Sequence, residues 1–229
     1  WLSDKIGRKR PVLIGYGLFL VLLFPIFHML GNQANPALAK AARDNPVVVT
    51  GADCSFNPFA QSGQSSACGK LLDTLTKKGV PYTRIDSATA TLPSLTIAGK
   101  AGNASDPAAL ANQLRAAGYS IDPVKPPFSN LVAITLGIIT LSLFGGLAYG
   151  PVGAWMVELF PSRTRYSSLA ISYNVGVGYF TGFMAFIVQY IVAITGDPFK
   201  GFWYPFVMVA IAAVIAYFGL PETAGKKLD

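Results

Sequence analysis

Residues 1–11 read WLSDKIGRKRP, and this stretch decides the fold. Asp4, Arg8, Lys9 and Arg10 stand around Gly7, and a long apolar run begins at Pro11. A compact charged knot leading straight into a run able to cross a hydrocarbon core of about 30 Å marks a cytoplasmic loop entering a membrane helix. Pro11 suits the first turn of that helix, where its missing N–H would have no partner anyway. The run lacks a small-residue cleavage site, so it reads as a retained helix and not as a signal peptide.

Three further apolar runs follow. The spans are expected at residues 11–30, 131–159, 169–194 and 203–220, with Gly31 and Asn32 stopping the first. With 229 residues, 52% hydrophobic and 13% charged, the chain is more apolar than an ordinary soluble domain. Its net charge of +7 gives no nucleic-acid partner, because the basic residues form no stripe interleaved with stacking aromatics. Of the 18 Lys and Arg, those at Lys5, Arg8, Lys9, Arg10, Arg163, Arg165, Lys226 and Lys227 lie beside ends of apolar runs. The opposite short loop around Asp197 holds only Lys200. Basic short loops stay inside, so both chain ends are predicted cytoplasmic and residues 31–127 extracytoplasmic. The expected organisation is a loop and first span (1–30), an insert (31–127), three spans (128–220) and a tail (221–229).

The insert carries element signals of its own. Residues 46–50 hold a β-branched run. Leu71, Leu72 and Leu75 lie at helical spacing ahead of Gly79, a plausible C-cap. Asp106 and Pro107 form an N-cap and first-turn pair, with Leu110 and Leu114 as the buried face before Gly118. These patterns predict a small α/β or α+β unit. Cys54 and Cys68 are the only cysteines, and both fall in it. On an oxidising side they are expected to form a disulfide worth roughly 3 kcal/mol, the alternative being two free thiols. Two cysteines with no nearby His do not fill a tetrahedral shell, so no metal or other cofactor is expected. Asn103-Ala-Ser105 matches a glycosylation acceptor, a pattern short enough to arise by chance.

Glu158 closes the second apolar run, and a carboxylate at the membrane edge requires a partner. Arg165, Arg163 and Arg8 are the candidates. Polar groups within the spans are few, and Tyr149, Tyr173, Asn174 and Gln189 are the candidates for a solute path. Gly146 with Gly150, and Gly178 with Gly182, are small-xxx-small pairs that permit close helix approach, though ordinary packing also accounts for them. Pro151 beside Gly150 is expected to loosen its helix. No Asp, Glu, Lys or Arg lies near the middle of a span. His28 lies near a span end, a place that suits packing better than proton relay.

Several of these stretches resemble one family. WLSDKIGRKR resembles the loop signature G-x-L-(S/A)-D-x-x-G-R-(K/R) of the major facilitator superfamily, without its leading Gly. Glu158 and Arg165 have the spacing of the E-x6-R element of the sugar porters, and Pro221 to Lys226 resembles their P-E-(S/T)-x-G-(K/R) ending. The longest likeness is ELFPSRTRYSSLAISYNVGVGYFTG, similar to a segment of the metabolite:proton symporters, the branch that carries 2-oxoglutarate, citrate, shikimate, proline and betaine. The resemblance implies an all-α transmembrane fold in which the four spans are the last four helices of a bundle. Helices of the same protein are then expected ahead of Trp1. It also implies alternating access rather than enzymatic chemistry, with a small solute, a proton and the lipid bilayer as partners and a bacterial plasma membrane as location. Asp4, Gly7, Arg8, Lys9, Glu158, Arg163, Arg165 and Glu222 would form a cytoplasmic gating cluster. The rivals are a sugar-porter-like facilitator, a membrane-anchored receptor that works through the insert, and a truncated product.

Overall fold

A computed structural model describes residues 1–57, 64–87, 92–103, 106–122 and 124–225. Lys226, Lys227 and Ser105 of the glycosylation pattern lie outside the described residues. Among the described residues four helical spans are long and apolar enough to cross a membrane: Lys9–Ala34, Phe128–Leu159, Arg165–Thr195 and Lys200–Phe218. The chain divides into two compact units, one of Trp1–Phe27, Ile134–Ala185 and Trp203–Asp229, the other of His28–Ala133 and Phe186–Phe202.

The first unit begins with a short helix, α1 (Leu2–Ile6), and α2 (Lys9–Ala34) follows at once. Gly7 joins them at φ +97°, a backbone region that favours glycine. The second span is broken where the sequence places Gly150 and Pro151. It consists of α6 (Phe128–Tyr149) and α7 (Val152–Leu159), numbered after the elements of the second unit. The third comprises α8 (Arg165–Val175), a π-helical turn (Gly176–Thr181) and α9 (Met184–Thr195). The fourth is a 3₁₀ turn (Lys200–Phe202) leading into α10 (Trp203–Phe218). Val12, Trp155 and Ala216 form a small buried core against Tyr16, Leu159 and Leu220. Most other apolar side chains of the spans face outward, among them Ile138, Leu143 and Phe180. Outward-facing apolar side chains suit a surrounding as apolar as they are.

The glycines of the spans act differently from the sequence reading. A Cβ at Gly150 would meet the carbonyl oxygen of Gly146 at 2.8 Å, and one at Gly182 would collide with the carbonyl oxygen of Gly178. Gly146 and Gly178 face open space. Both pairs therefore relieve their own helix, at the break and at the π turn, and do not seat a neighbouring helix among the described residues. The close approach is made instead by Gly15, where a Cβ would lie 2.7 Å from the backbone nitrogen of Ala148. Gly31 and Asn32 do not end the first span either, because α2 runs on to Ala34. Asn35 precedes Pro36, a position biased away from helix, and its side chain caps α3 (Pro36–Asp44) by accepting from the Leu38 N–H at 3.0 Å.

In the second unit, β1 (Val47–Gly51) leads through α4 (Ala67–Lys77) to β2 (Tyr82–Asp86), which pairs parallel to it with Val47 opposite Tyr82. A hairpin of β3 (Ser94–Ile97) and β4 (Lys100–Gly102), turning through Ala98 at φ +50° and Gly99 at φ +77°, adds antiparallel to the other edge of β1. The sheet order is β2-β1-β3-β4, and α5 (Pro107–Ala116) completes the unit. Val49, Leu75, Leu95, Leu110, Leu114 and Tyr119 are fully buried in its core. Burial drives the Tyr119 hydroxyl up to about 12, and that hydroxyl donates to the Asn45 carbonyl at 2.6 Å. Ser66 and Asp106 cap α4 and α5 by accepting from the Gly69 and Ala108 N–H groups, both at 2.9 Å. Cys54 and Cys68 form a disulfide, which ties the end of β1 to the first turn of α4.

A charge cluster as the candidate functional site

The described residues of the first unit bring the start of α2, the end of α7 and the segment after α10 together around two carboxylates. Glu222 serves the start of α2, where helical N–H groups lack intrahelical partners. Its Oε1 accepts the Arg8 backbone N–H at 2.8 Å, and its Oε2 accepts that of Lys9 at 3.1 Å. The N–H groups of Thr223 and Ala224 donate to the same Oε1 at 3.0 Å each. Burial pushes the Glu222 carboxyl up, but these four donors outweigh it and hold the group below its ordinary value. The carboxylate approaches so closely that a Cβ at Gly7 would collide with it. Gly7 is thus required twice, by backbone angle and by space.

Lys9 answers from the other side. Its ammonium donates to the carbonyls of Tyr217 at 2.6 Å and Leu220 at 2.9 Å, where α10 runs out. A carboxylate thus sits at a helix start and an ammonium at a helix end, the placement that complements both helix dipoles.

Glu158 closes α7 and faces the Arg8 guanidinium. Nη2 donates to Oε1 at 3.0 Å, and Nε reaches Oε1 and Oε2 at 3.2 and 3.3 Å. The two side chains are only 15% and 13% exposed, so the pair is shielded from most of the solvent. Thr223, itself buried, donates its hydroxyl to Glu158 Oε2 at 2.5 Å. Arg8 Nη1 turns outward to Ser3 Oγ at 2.9 Å and to the Asp4 carboxylate. Arg8 is held firmly protonated, by Glu158 first and Asp4 second, while its bond to Asp4 keeps that carboxyl below the usual range. Beneath the charges, the Trp155 indole N–H donates to the Pro221 carbonyl at 3.0 Å.

Two expected members stand apart from these carboxylates. Arg165 opens α8, and its Nε donates to the Phe160 carbonyl at 3.1 Å, closing the turn between α7 and α8. Arg163 lies exposed on that turn and makes no ion pair among the described residues. The nearest arginine in sequence is therefore not the partner of Glu158. Arg8 takes that place because the start of α2 packs beside Trp155 through Val12.

The four solute-path candidates divide between the two units. Tyr149 and Tyr173 interact through their hydroxyls. Tyr173 and Asn174 line a shallow groove of about 380 Å³ with Gly153, Met156, Tyr166 and Leu169. The Asn174 amide N–H donates to the Ala170 carbonyl one turn back, at 2.7 Å, so its own helix satisfies that group. Gln189 belongs to the second unit and lines a cleft there with Phe56, Thr76, Tyr82 and Val192.

Residues 121–229 match the family described as sugar (and other) transporter. The C-terminal part of the chain is thus similar to that transporter family. Over 99 residues it is 28% identical to a Staphylococcus aureus protein provisionally named a proline/betaine transporter, a match covering 43% of this chain and 21% of that protein. Over 57 residues it is 35% identical to the inner membrane metabolite transport protein YhjE of Escherichia coli, covering 25% of this chain and 13% of the other. The matched part thus spans about a fifth or less of the length of these relatives. No solved structure matches the chain significantly. These relatives are named as transporters, and with four helices long and apolar enough to cross a membrane this chain is an integral membrane protein.

Three contributors to the charge cluster were not singled out by sequence reasoning: Ser3, Trp155 and Thr223. Ser3 and Thr223 adjoin charged members, Asp4 and Glu222, and short hydroxyl side chains beside a carboxylate are a readable signal for shared hydrogen bonding. Trp155 gave no such signal, since a tryptophan near the end of an apolar run is ordinary.

Proposed function

We propose that this chain is part of a proton-driven metabolite transporter of a bacterial plasma membrane, working by alternating access, and that its charge cluster latches the cytoplasmic helix ends when the inner side is closed. The observation that carries this reading is the meeting of three helix ends on the Arg8–Glu158 pair and the Glu222 carboxylate. Such a junction binds moving elements by groups that water can replace when they separate. Two bundles rocking about a midplane site need a contact of that kind at each face.

The basic short flanks support cytoplasmic placement of the cluster, which puts the insert, with its disulfide, on the outer side. The solute is an organic acid or osmolyte, as suggested by the name of the S. aureus relative and the metabolite role in the name of YhjE. Tyr149, Tyr173, Asn174 and Gln189 are the candidates to line its path. The proton carrier then lies on further helices of the same protein, since no Asp, Glu, Lys or Arg lies near the middle of these spans.

Uptake by the full-length protein in membrane vesicles tests the reading. Arg8→Ala is expected to cut uptake at least tenfold with insertion intact, and wild-type uptake should collapse when a protonophore removes the gradient. Unchanged uptake in Arg8→Ala would refute the latch. Uptake indifferent to the protonophore would favour a facilitator, the second reading that the sugar-transporter family match supports.

A further inference from the structure

Tyr82, the first residue of β2, is 5% exposed at the edge of the sheet. Its hydroxyl donates to the Ala193 carbonyl at 2.8 Å, and its backbone N–H donates to the Gly196 carbonyl at 3.0 Å. Both acceptors belong to the last turn of α9 and the residue just past it, where helical carbonyls have no intrahelical donor. The globular part thus supplies the C-terminal cap of a membrane helix. Gly196 is shaped for it: φ is +70°, and a Cβ there would collide with the Tyr82 carbonyl oxygen and crowd its ring.

The same unit ties down the neighbouring helix ends. His28 of α2 stacks on Phe199 with ring centroids 4.1 Å apart, and Gly31 leaves room for that ring. Gly201 packs against Val188 and Val192 of α9, so the turn folds back on its own helix. At the neck of the insert, the Asn130 side chain donates to the Gln33 carbonyl at 3.1 Å and the Asn35 side chain to the Ser120 carbonyl at 2.8 Å.

We propose that the insert is a clasp, in which β2 grips the C-terminal end of α9 through Tyr82 and joins it to the end of α2, so that these helix ends move as one body. A tethered receptor module would need no such grip on a spanning helix. The consequence for transport rests on the rocking-carrier reading: the clasp would stiffen the outer face of this bundle during the cycle. The clasp itself can be tested whether or not the protein transports.

Amide hydrogen exchange on the protein in lipid nanodiscs reads it directly. In the wild type the Tyr82 amide, although on an edge strand, is expected to be protected. Gly196→Ala, which leaves no space for Tyr82, is expected to speed its exchange at least tenfold while the Val49 amide in the sheet centre keeps its protection. Tyr82→Phe removes one of the two bonds without adding bulk, and a severalfold rise is expected. Free exchange at Tyr82 in the wild type, or unchanged exchange in both variants, would overturn the proposal. So would loss of Val49 protection in Tyr82→Phe, because the grip would then be inseparable from the insert's own fold.

Discussion

Replacing Arg8 by Ala, Glu158 by Gln, and both together measures the strength of the central pair. Two unit charges about 4 Å apart attract by about 4 kcal/mol at an effective dielectric of about 20. Dehydration offsets part of this, although with side chains 15% and 13% exposed the pair keeps some contact with water. Hydrogen bonds to charged groups contribute about 1.5–3 kcal/mol. Taken together these place the coupling at about 2 kcal/mol, roughly a thirtyfold change in an equilibrium constant. The single variants should differ. Glu158→Gln leaves Arg8 with Asp4 and Ser3, whereas Arg8→Ala leaves the Glu158 carboxylate with the Thr223 hydroxyl and is expected to cost more. Denaturant unfolding in detergent micelles, followed by tryptophan fluorescence, gives the three free energies and hence the coupling. A coupling below about 0.5 kcal/mol, the value of an exposed ion pair, would show that the junction is an ordinary surface contact and refute the reasoning.

Three further outcomes are expected. Gly7→Ala should destabilise the first unit by about 2 kcal/mol, since it combines a strained backbone angle with a collision against Glu222; a neutral change in unfolding midpoint would contradict the capping geometry. Asp4 and Glu222 titrate below their ordinary range, so the stability they contribute is fully present above about pH 4 and is lost as pH falls through their lowered values. The unfolding midpoint should show no pH dependence from these two groups between pH 6 and 8 and should fall in more acidic buffer, and a carboxylate-dependent loss already at pH 6 would be the wrong sign of shift. Reducing the Cys54–Cys68 bridge, which closes a separation of 14 residues, should lower insert stability by about 3 kcal/mol, read as faster exchange of the β1 amides; unchanged exchange would mean the core holds without it.

The sequence made some of this legible and hid the rest for physical reasons. Four spans are visible because an apolar run of membrane length rarely serves any purpose but crossing a bilayer. The need of Glu158 for a cation was equally plain, but its choice was not. Arg165 lies seven positions away along the chain and Arg8 150, and only the packing of α2 beside α7 decides between them. Likewise Gly178 and Gly182 carry a spacing associated with helix contacts, yet the π turn uses them within one helix. In the insert, Leu110 and Leu114 behind Asp106 and Pro107 announce α5. β2 escaped notice because Arg84 and Asp86 pair with each other on an edge strand and blur its alternation, and β4 is only three residues long.

The cluster's position at a water-accessible edge bears on what it can do. Deep burial would make the Arg8–Glu158 pair costly to open, because a separated charge would be stranded away from water. Full exposure would leave it too weak to hold anything. The structure lies between these limits: Arg8 and Glu158 are mostly covered, whereas the Asp4 side chain on the outer flank is 61% exposed. Water can therefore enter from the Asp4 side as the helix ends part, replacing each bond as it breaks. The α2 N–H groups that Glu222 caps and the carbonyls that Lys9 caps would be hydrated in turn, at the small net cost of exchanging one hydrogen bond for another. On the proposed reading, a contact re-formed in every transport cycle requires that graded character, and a rigid structural joint does not.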